Sequence, residues 1–127
     1  MRKLSEKKRF SIIARARSFN FAWRGLKIIA KTQHNFWVQV AAAVFVVLLG
    51  FEYDINQTEW AILILAMTAV FAAESFNTAF EIDIDLTSPD EHPYARDTKD
   101  VAAGAVLLTV LGATIIGLII FIPKVFS

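Results

Sequence analysis

Three long apolar runs separated by short charged segments dominate this chain. The first, Phe36 to Phe51, covers about 24 Å at 1.5 Å per residue. That falls short of a hydrocarbon core of about 30 Å, so Asn35 or its neighbours are expected at the interface. Phe36 and Trp37 at one end, with Phe51 and Tyr53 at the other, resemble aromatic belts. The second run extends from about Trp60 to Phe80. The third, Val101 to Ile122, carries no charge, and Pro123 and Lys124 are expected to end it. Each run predicts a transmembrane helix. Ahead of them, residues 9–31 have helical periodicity: Ile12, Ala16, Phe19, Trp23, Leu26 and Ala30 form an apolar stripe, and Arg17, Arg24, Lys27 and Lys31 lie on other faces. Such a basic amphipathic helix suits the membrane interface; the bland alternative is a soluble helix packed on the rest of the protein.

The expected fold is therefore an all-α membrane protein, one domain over residues 1–127, with an N-terminal surface helix and three transmembrane helices. No internal repeat is evident, and three spans cannot divide into inverted halves, which argues against common transporter architectures. Three thin helices cannot enclose a pore or deep pocket alone. An oligomer with sites between subunits is the expected solution.

Composition agrees with the membrane class. Hydrophobic residues make up 56% of the chain, and mean hydropathy is +0.50. The absence of cysteine excludes disulfides and thiol chemistry. The net charge of +1 hides an asymmetry, because ten of the thirteen Lys and Arg residues fall in the first 31 positions, against Glu6 alone. With apolar spans following, this basic head points to an anionic membrane surface rather than nucleic acid. The N-terminus lacks the compact apolar core and small-residue cleavage site of a secretory signal. The basic head should stay in the cytoplasm. The loop from Ile82 to Asp100 is then cytoplasmic too, and the C-terminus lies outside. That loop holds Asp83, Asp85, Asp90, Glu91, Asp97 and Asp100 against Arg96 and Lys99.

The costliest polarity lies at the end of the second run. Glu74, Asn77, Thr78 and Glu81 share one helical face by their spacings of three, four and seven. An ionised side chain at the centre of a spanning helix costs roughly 2.5–3.5 kcal/mol on insertion scales. These groups therefore need partners, water or a chemical task. Carboxylates bind magnesium together with phosphate oxygens, a lysine such as Lys99 neutralises phosphate charge, and a carboxylate can take a hydroxyl proton during phosphoryl transfer. The set suits a reaction between a water-soluble phosphate donor and a lipid alcohol. No glycine-rich Walker loop or kinase catalytic-loop motif is present. Each part also has a structural reading. Glu74 can be a protonated acid bonded between helices, and Asn77 with Thr78 can be interhelical hydrogen-bond glue. Glu81, Asp83 and Asp85 can be a solvated helix end, His92 a simple loop residue, and Lys99 an interfacial anchor.

The segment Glu74-Ser75-Phe76-Asn77-Thr78-Ala79-Phe80-Glu81, followed by Asp85, resembles the signature of the bacterial diacylglycerol kinase and undecaprenol kinase family, E-x-x-N-[ST]-A-x-E-x-x-x-D. The segment Lys99-Asp100-Val101-Ala102-Ala103-Gly104-Ala105-Val106-Leu107-Leu108 is similar to its second signature, with Thr98 in place of the usual Ala. Ser18-Phe19 with Ala22 and Gly25 resembles the family's surface-helix pattern, and His92 its loop histidine. The resemblance implies a homotrimeric membrane lipid kinase with sites between subunits, moving the γ-phosphate of MgATP to a lipid hydroxyl. It implies that Glu74 is the general base, Glu81 a metal ligand beside ATP, and Asn77 an orienting group in the nucleotide site. It further implies that Lys99 and Asp100 bind the nucleotide, with Asp90, Glu91 and His92 in the nucleotide loop and Arg15 or Arg17 assisting.

One position departs from the pattern. The family carries Glu as a second metal ligand three residues before the Phe that opens the first span, and here that residue is Gln33. A glutamine carbonyl contacts magnesium without the negative charge. The competing expectation is a non-catalytic membrane adaptor whose polar stripe only mediates helix assembly.

Overall fold

The computed structural model describes residues 11–127, so Arg9 and Phe10 of the expected surface helix lie outside the described residues. Four helices follow: α1 (Ile12–Thr32), α2 (His34–Glu52), α3 (Gln57–Thr87) and α4 (Pro93–Val125). Three of them, α2, α3 and α4, are long and apolar enough to cross a membrane.

Each boundary has a local cause. The Ser11 hydroxyl accepts a bond from the Ala14 amide and starts α1. Gln33 alone breaks α1 from α2, with extended dihedrals of −113° and 110°, and the Trp37 indole donates to the Ala30 carbonyl across that corner at 2.6 Å. At the end of α2, the Ile55 amide bonds the Gly50 carbonyl and the Asp54 amide bonds that of Phe51. Asp54 takes the left-handed conformation, φ 48°, which closes a Schellman-type turn. Asn56 and Glu59 then cap α3 reciprocally at 2.8 and 3.1 Å.

The charged segment after the second span is not the loop expected over Ile82–Asp100. Helix α3 continues to Thr87 and α4 already begins at Pro93, leaving five residues as the turn. Nothing between Phe80 and Thr87 breaks a helix, and its acids need only water once the chain leaves the apolar layer. The break comes at Ser88, because the residue before Pro89 is sterically excluded from helical dihedrals. Pro93 then occupies the first turn of α4, where a missing amide costs nothing. At the other end, Pro123 does not terminate the third span; α4 runs through it to Val125. It removes one hydrogen bond from the last turn.

Helices α3 and α4 form a long antiparallel hairpin. Leu63, Ile120 and Phe121 are buried along it together with Ile55, and Trp60, Met67 and Tyr53 pack around them. An ion pair closes each end, Lys99 to Asp85 at 2.6 Å and Lys124 to Glu59 at 3.2 Å. The two pairs stand roughly 38 Å apart at 1.5 Å per residue. That is close to a bilayer with its headgroup layers, about 40–45 Å. Helix α2 runs antiparallel to α3, since Phe51 stacks near Trp60 at one end while Gln39 meets Glu74 at the other.

Much of the apolar surface is not covered within one chain. Phe45, Leu48, Leu65, Leu108 and Ile119 are exposed on the spans, which only lipid tails or further protein would solvate well. On α1 the expected stripe is also exposed at Ile12, Phe19, Trp23 and Leu26, and Ile29 is the buried residue. The helix therefore touches the bundle by another edge and leaves its stripe free to enter a membrane interface.

Candidate functional site

The polar stripe of α3 links two different surroundings. Glu74 is its innermost member, with only 3% of its surface exposed. Its Oε2 accepts a hydrogen bond from Gln39 Nε2 of α2 at 3.1 Å. One turn on, Thr78 is equally buried, and its hydroxyl donates to the Glu74 carbonyl; that local bond leaves the Glu74 carboxylate uninvolved. Among the described residues, Asn77 Oδ1 and Gln39 Oε1 are buried without a hydrogen-bond partner. Buried acceptors left this way are uncommon and mark places where a further donor or cation belongs.

Gln39 also heads an open apolar groove of about 360 Å³ between α2, α3 and α4. Ala43, Val46, Met67, Val70, Ala113, Gly117 and Phe121 are among its walls. From Gln39 to Leu49 the groove runs about 15 Å along the bundle at 1.5 Å per residue, half of a hydrocarbon core of about 30 Å.

At the α3–α4 turn lies an open cleft of about 820 Å³. Asp90, Glu91, His92, Lys99 and Asp100 all line it, so five of the residues singled out in the sequence are brought together. Asp85, Arg96 and Asp97 complete its charged wall. The His92 ring is not a free loop group in this chain: its Nδ1 accepts from the Tyr94 amide and caps α4. Lys99 and Asp100 stand on the first turns of α4 rather than in a loop. The Asp85 carboxylate, hydrogen-bonded to Lys99, raises the Lys99 ammonium above the usual lysine value of 10.5; partial burial opposes this, and Glu81 adds a weaker pull in the same direction. Glu81 is therefore within electrostatic reach of Lys99, between the cleft and Glu74.

The remaining candidates lie apart from the cleft. Arg15 and Arg17 are exposed on α1 and do not line it. Gln33 sits at the α1–α2 corner. From the Gln39–Glu74 contact, Gln33 is six residues back along α2 and Glu81 seven residues forward along antiparallel α3, about 9 and 10.5 Å in the same direction. Both are therefore carried toward the same end of the bundle. Among the described residues, no three His, Asp or Glu side chains cluster as a complete metal cage.

Gln39 was missed in the sequence. Its signal was available: an amide inside the first apolar run raises the same question as the α3 stripe.

Comparison with known proteins adds an independent line. The profile of the prokaryotic diacylglycerol kinase family matches residues 20–121. The chain is 42% identical to undecaprenol kinase of Bacillus subtilis over 108 residues, 85% of this chain and 88% of that protein. It is 35% identical to a diacylglycerol kinase of Synechocystis over 111 residues, 87% of this chain and 63% of that protein. Its identity to the diacylglycerol kinase of Escherichia coli K12 is 24% over 95 residues, 75% of this chain and 78% of that protein.

Proposed function

The chain belongs to the prokaryotic diacylglycerol kinase family, and we propose that it transfers the γ-phosphate of MgATP to the primary hydroxyl of a membrane lipid alcohol, undecaprenol or diacylglycerol. The observation that carries this reading is the α3 stripe itself. Its buried end, Glu74, meets the head of an apolar groove through Gln39. Its outer end, Glu81, lies one turn before Asp85, which pairs with Lys99 on the wall of a polar cleft. A lipid hydroxyl and a water-soluble phosphate donor can approach the same stripe from opposite sides. The 42% identity to an undecaprenol kinase favours the polyprenol as acceptor.

In this reading the lipid tail lies along the groove and its hydroxyl reaches Glu74. The carboxylate takes the hydroxyl proton as the lipid oxygen attacks the γ-phosphorus, and the bond from that phosphorus to the ADP oxygen breaks. Lys99 neutralises phosphate charge, Asp100 and the turn residues Asp90, Glu91 and His92 seat the nucleotide, and Asn77 orients the reacting groups. Arg15 or Arg17 assists from α1.

The donor set fits a hard cation. The cleft is lined by five acids, Asp85, Asp90, Glu91, Asp97 and Asp100, against Arg96 and Lys99, so a polyphosphate would enter it more readily with its charge partly neutralised. Glu81 and Gln33 supply oxygen ligands, which suit magnesium. When bound, the ion would neutralise charge developing on the transferred phosphoryl group. The family resemblance implies a homotrimer, and the uncovered apolar faces are available to neighbouring subunits as well as to lipid. The basic N-terminal segment supports a cytoplasmic site in a bacterial inner membrane.

The adaptor reading is not favoured, because it leaves family membership and the paired groove and cleft without a role. Reconstituted protein should transfer phosphate from ATP to undecaprenol or diacylglycerol only with a divalent metal, and direct competition between the two lipids identifies the acceptor. Glu74→Gln should lower turnover by about 10²- to 10⁴-fold with the assembly intact. Undiminished turnover in that variant would exclude Glu74 as the base.

A further inference from the structure

Gln39 stands alone as a polar side chain between Trp37 and Gly50 of α2. It lines the apolar groove, its Nε2 donates to Glu74 Oε2 at 3.1 Å, and its own Oε1 is buried without a partner among the described residues. We propose that Gln39 is the positioning residue of the base: it tethers one oxygen of Glu74 and presents the other to the hydroxyl of the bound lipid. This rests on the lipid-kinase reading above.

The physical case begins with Glu74. Its carboxylate is nearly enclosed, with the apolar Val70 and Ala66 buried before it on the helix and Thr78, whose hydroxyl is bonded to the Glu74 carbonyl, buried after it. A buried polar group of this kind needs a hydrogen-bond partner. Among the described residues the one side-chain donor to it is Gln39, bound to Oε2; Oε1 is left uncommitted. A general base needs such a free lone pair aimed at the proton it will take. Without the tether the carboxylate rotates among its rotamers, and the share with an oxygen at the groove head falls. The amide is suited to the task because it is neutral. A lysine would neutralise the base outright, and a second carboxylate would repel it.

The unpartnered Oε1 of Gln39 strengthens the case. A glutamine held only for packing would be replaced by an apolar residue at no loss, since its buried, unsatisfied oxygen is destabilising in the isolated chain. Among the described residues the compensation for that cost is the bond its other end makes to Glu74.

The test compares wild type, Gln39→Met and Gln39→His as the assembled protein in liposomes, with undecaprenol or diacylglycerol as acceptor. Methionine keeps the length and volume and removes the donor; histidine restores an N–H of similar reach. In Gln39→Met, kcat at saturating lipid should fall about ten- to a hundredfold, the range for losing a hydrogen bond to a charged group. KM for MgATP should not change, and Gln39→His should recover most of kcat. The proposal is overturned if Gln39→Met keeps kcat within about twofold of wild type. It is equally overturned if kcat and unfolding temperature fall together in both variants, which would assign Gln39 to packing. Absence of turnover in the wild type with either lipid would instead remove the lipid-kinase reading itself, and this inference with it.

Discussion

Lys99 Nζ and Asp85 Oδ1 meet at 2.6 Å across the open end of the α3–α4 hairpin, and the pair faces water: the lysine side chain is 38% exposed and the aspartate 70%. A pair so exposed adds little to stability. Its importance lies in where it holds the ammonium, on the wall of the polar cleft. Asp85→Asn should therefore leave the unfolding temperature nearly unchanged. Lys99→Met should raise KM for MgATP roughly tenfold or more, as expected for losing a charge-assisted contact to phosphate. Hydrogen bonding to Asp85 raises the lysine above its usual value of 10.5. From neutral pH upward the contribution of Lys99 is present up to about pH 10.5 and is lost as pH rises through the higher folded value. Stability and MgATP affinity measured from neutral pH upward should show no inflection from Lys99 below that point.

Gln33→Glu should strengthen metal binding. The substitution adds a negative charge at the same end of the bundle as Glu81 and restores the acid of the family pattern. The Mg²⁺ concentration giving half-maximal turnover should fall about tenfold, equivalent to about 1.4 kcal/mol. Glu81→Gln should move it the other way. A metal titration in which Gln33→Glu has no effect would separate residue 33 from the ion.

Gly50→Ala should destabilise the protein by about 1–3 kcal/mol, the usual range for forcing atoms into a packed site. A methyl at this position would meet the Trp60 ring carbons at 2.5 and 2.8 Å. Trp60 packs at a tilt against Phe51, centroids 5.0 Å apart, and beside the buried Ile55, so the rigid ring must shift as a whole to admit the methyl. Thermal unfolding in detergent measures the loss.

The far end of the hairpin should be acid-sensitive. Glu59 is held below the usual carboxylate value of 4.5 chiefly by the Asn56 amide, then by its bond to Lys124. Its contribution is present above pH 4.5 and is lost as pH falls through the lowered folded value. Glu59→Gln should flatten this part of the acid limb of a stability-against-pH curve. Asn56→Ala, which removes the reciprocal cap, should cost about 1 kcal/mol at neutral pH.

The sequence by itself determined the number and order of the helices, because apolar length and helical period are local properties that a bilayer reads directly. It also determined the α3 stripe, since spacings of three, four and seven fix one face on any helix. Charge was misleading about helix ends: the acids after Phe80 read as a loop, yet only Ser88-Pro89 breaks the backbone, so Lys99 and Asp100 belong to a helix. Pro123 misled in the opposite sense, because one lost hydrogen bond in a last turn does not stop a helix. What only the tertiary structure decided was which distant groups meet. Gln39 and Glu74 are 35 positions apart, and their contact depends on the antiparallel register that the Asp54 turn and the Gly50–Trp60 fit impose on α2 and α3. The turn residues and Lys99 likewise share a cleft only because α3 and α4 fold back on one another. Contacts of this kind are set by packing between helices, which no periodicity within a single helix encodes.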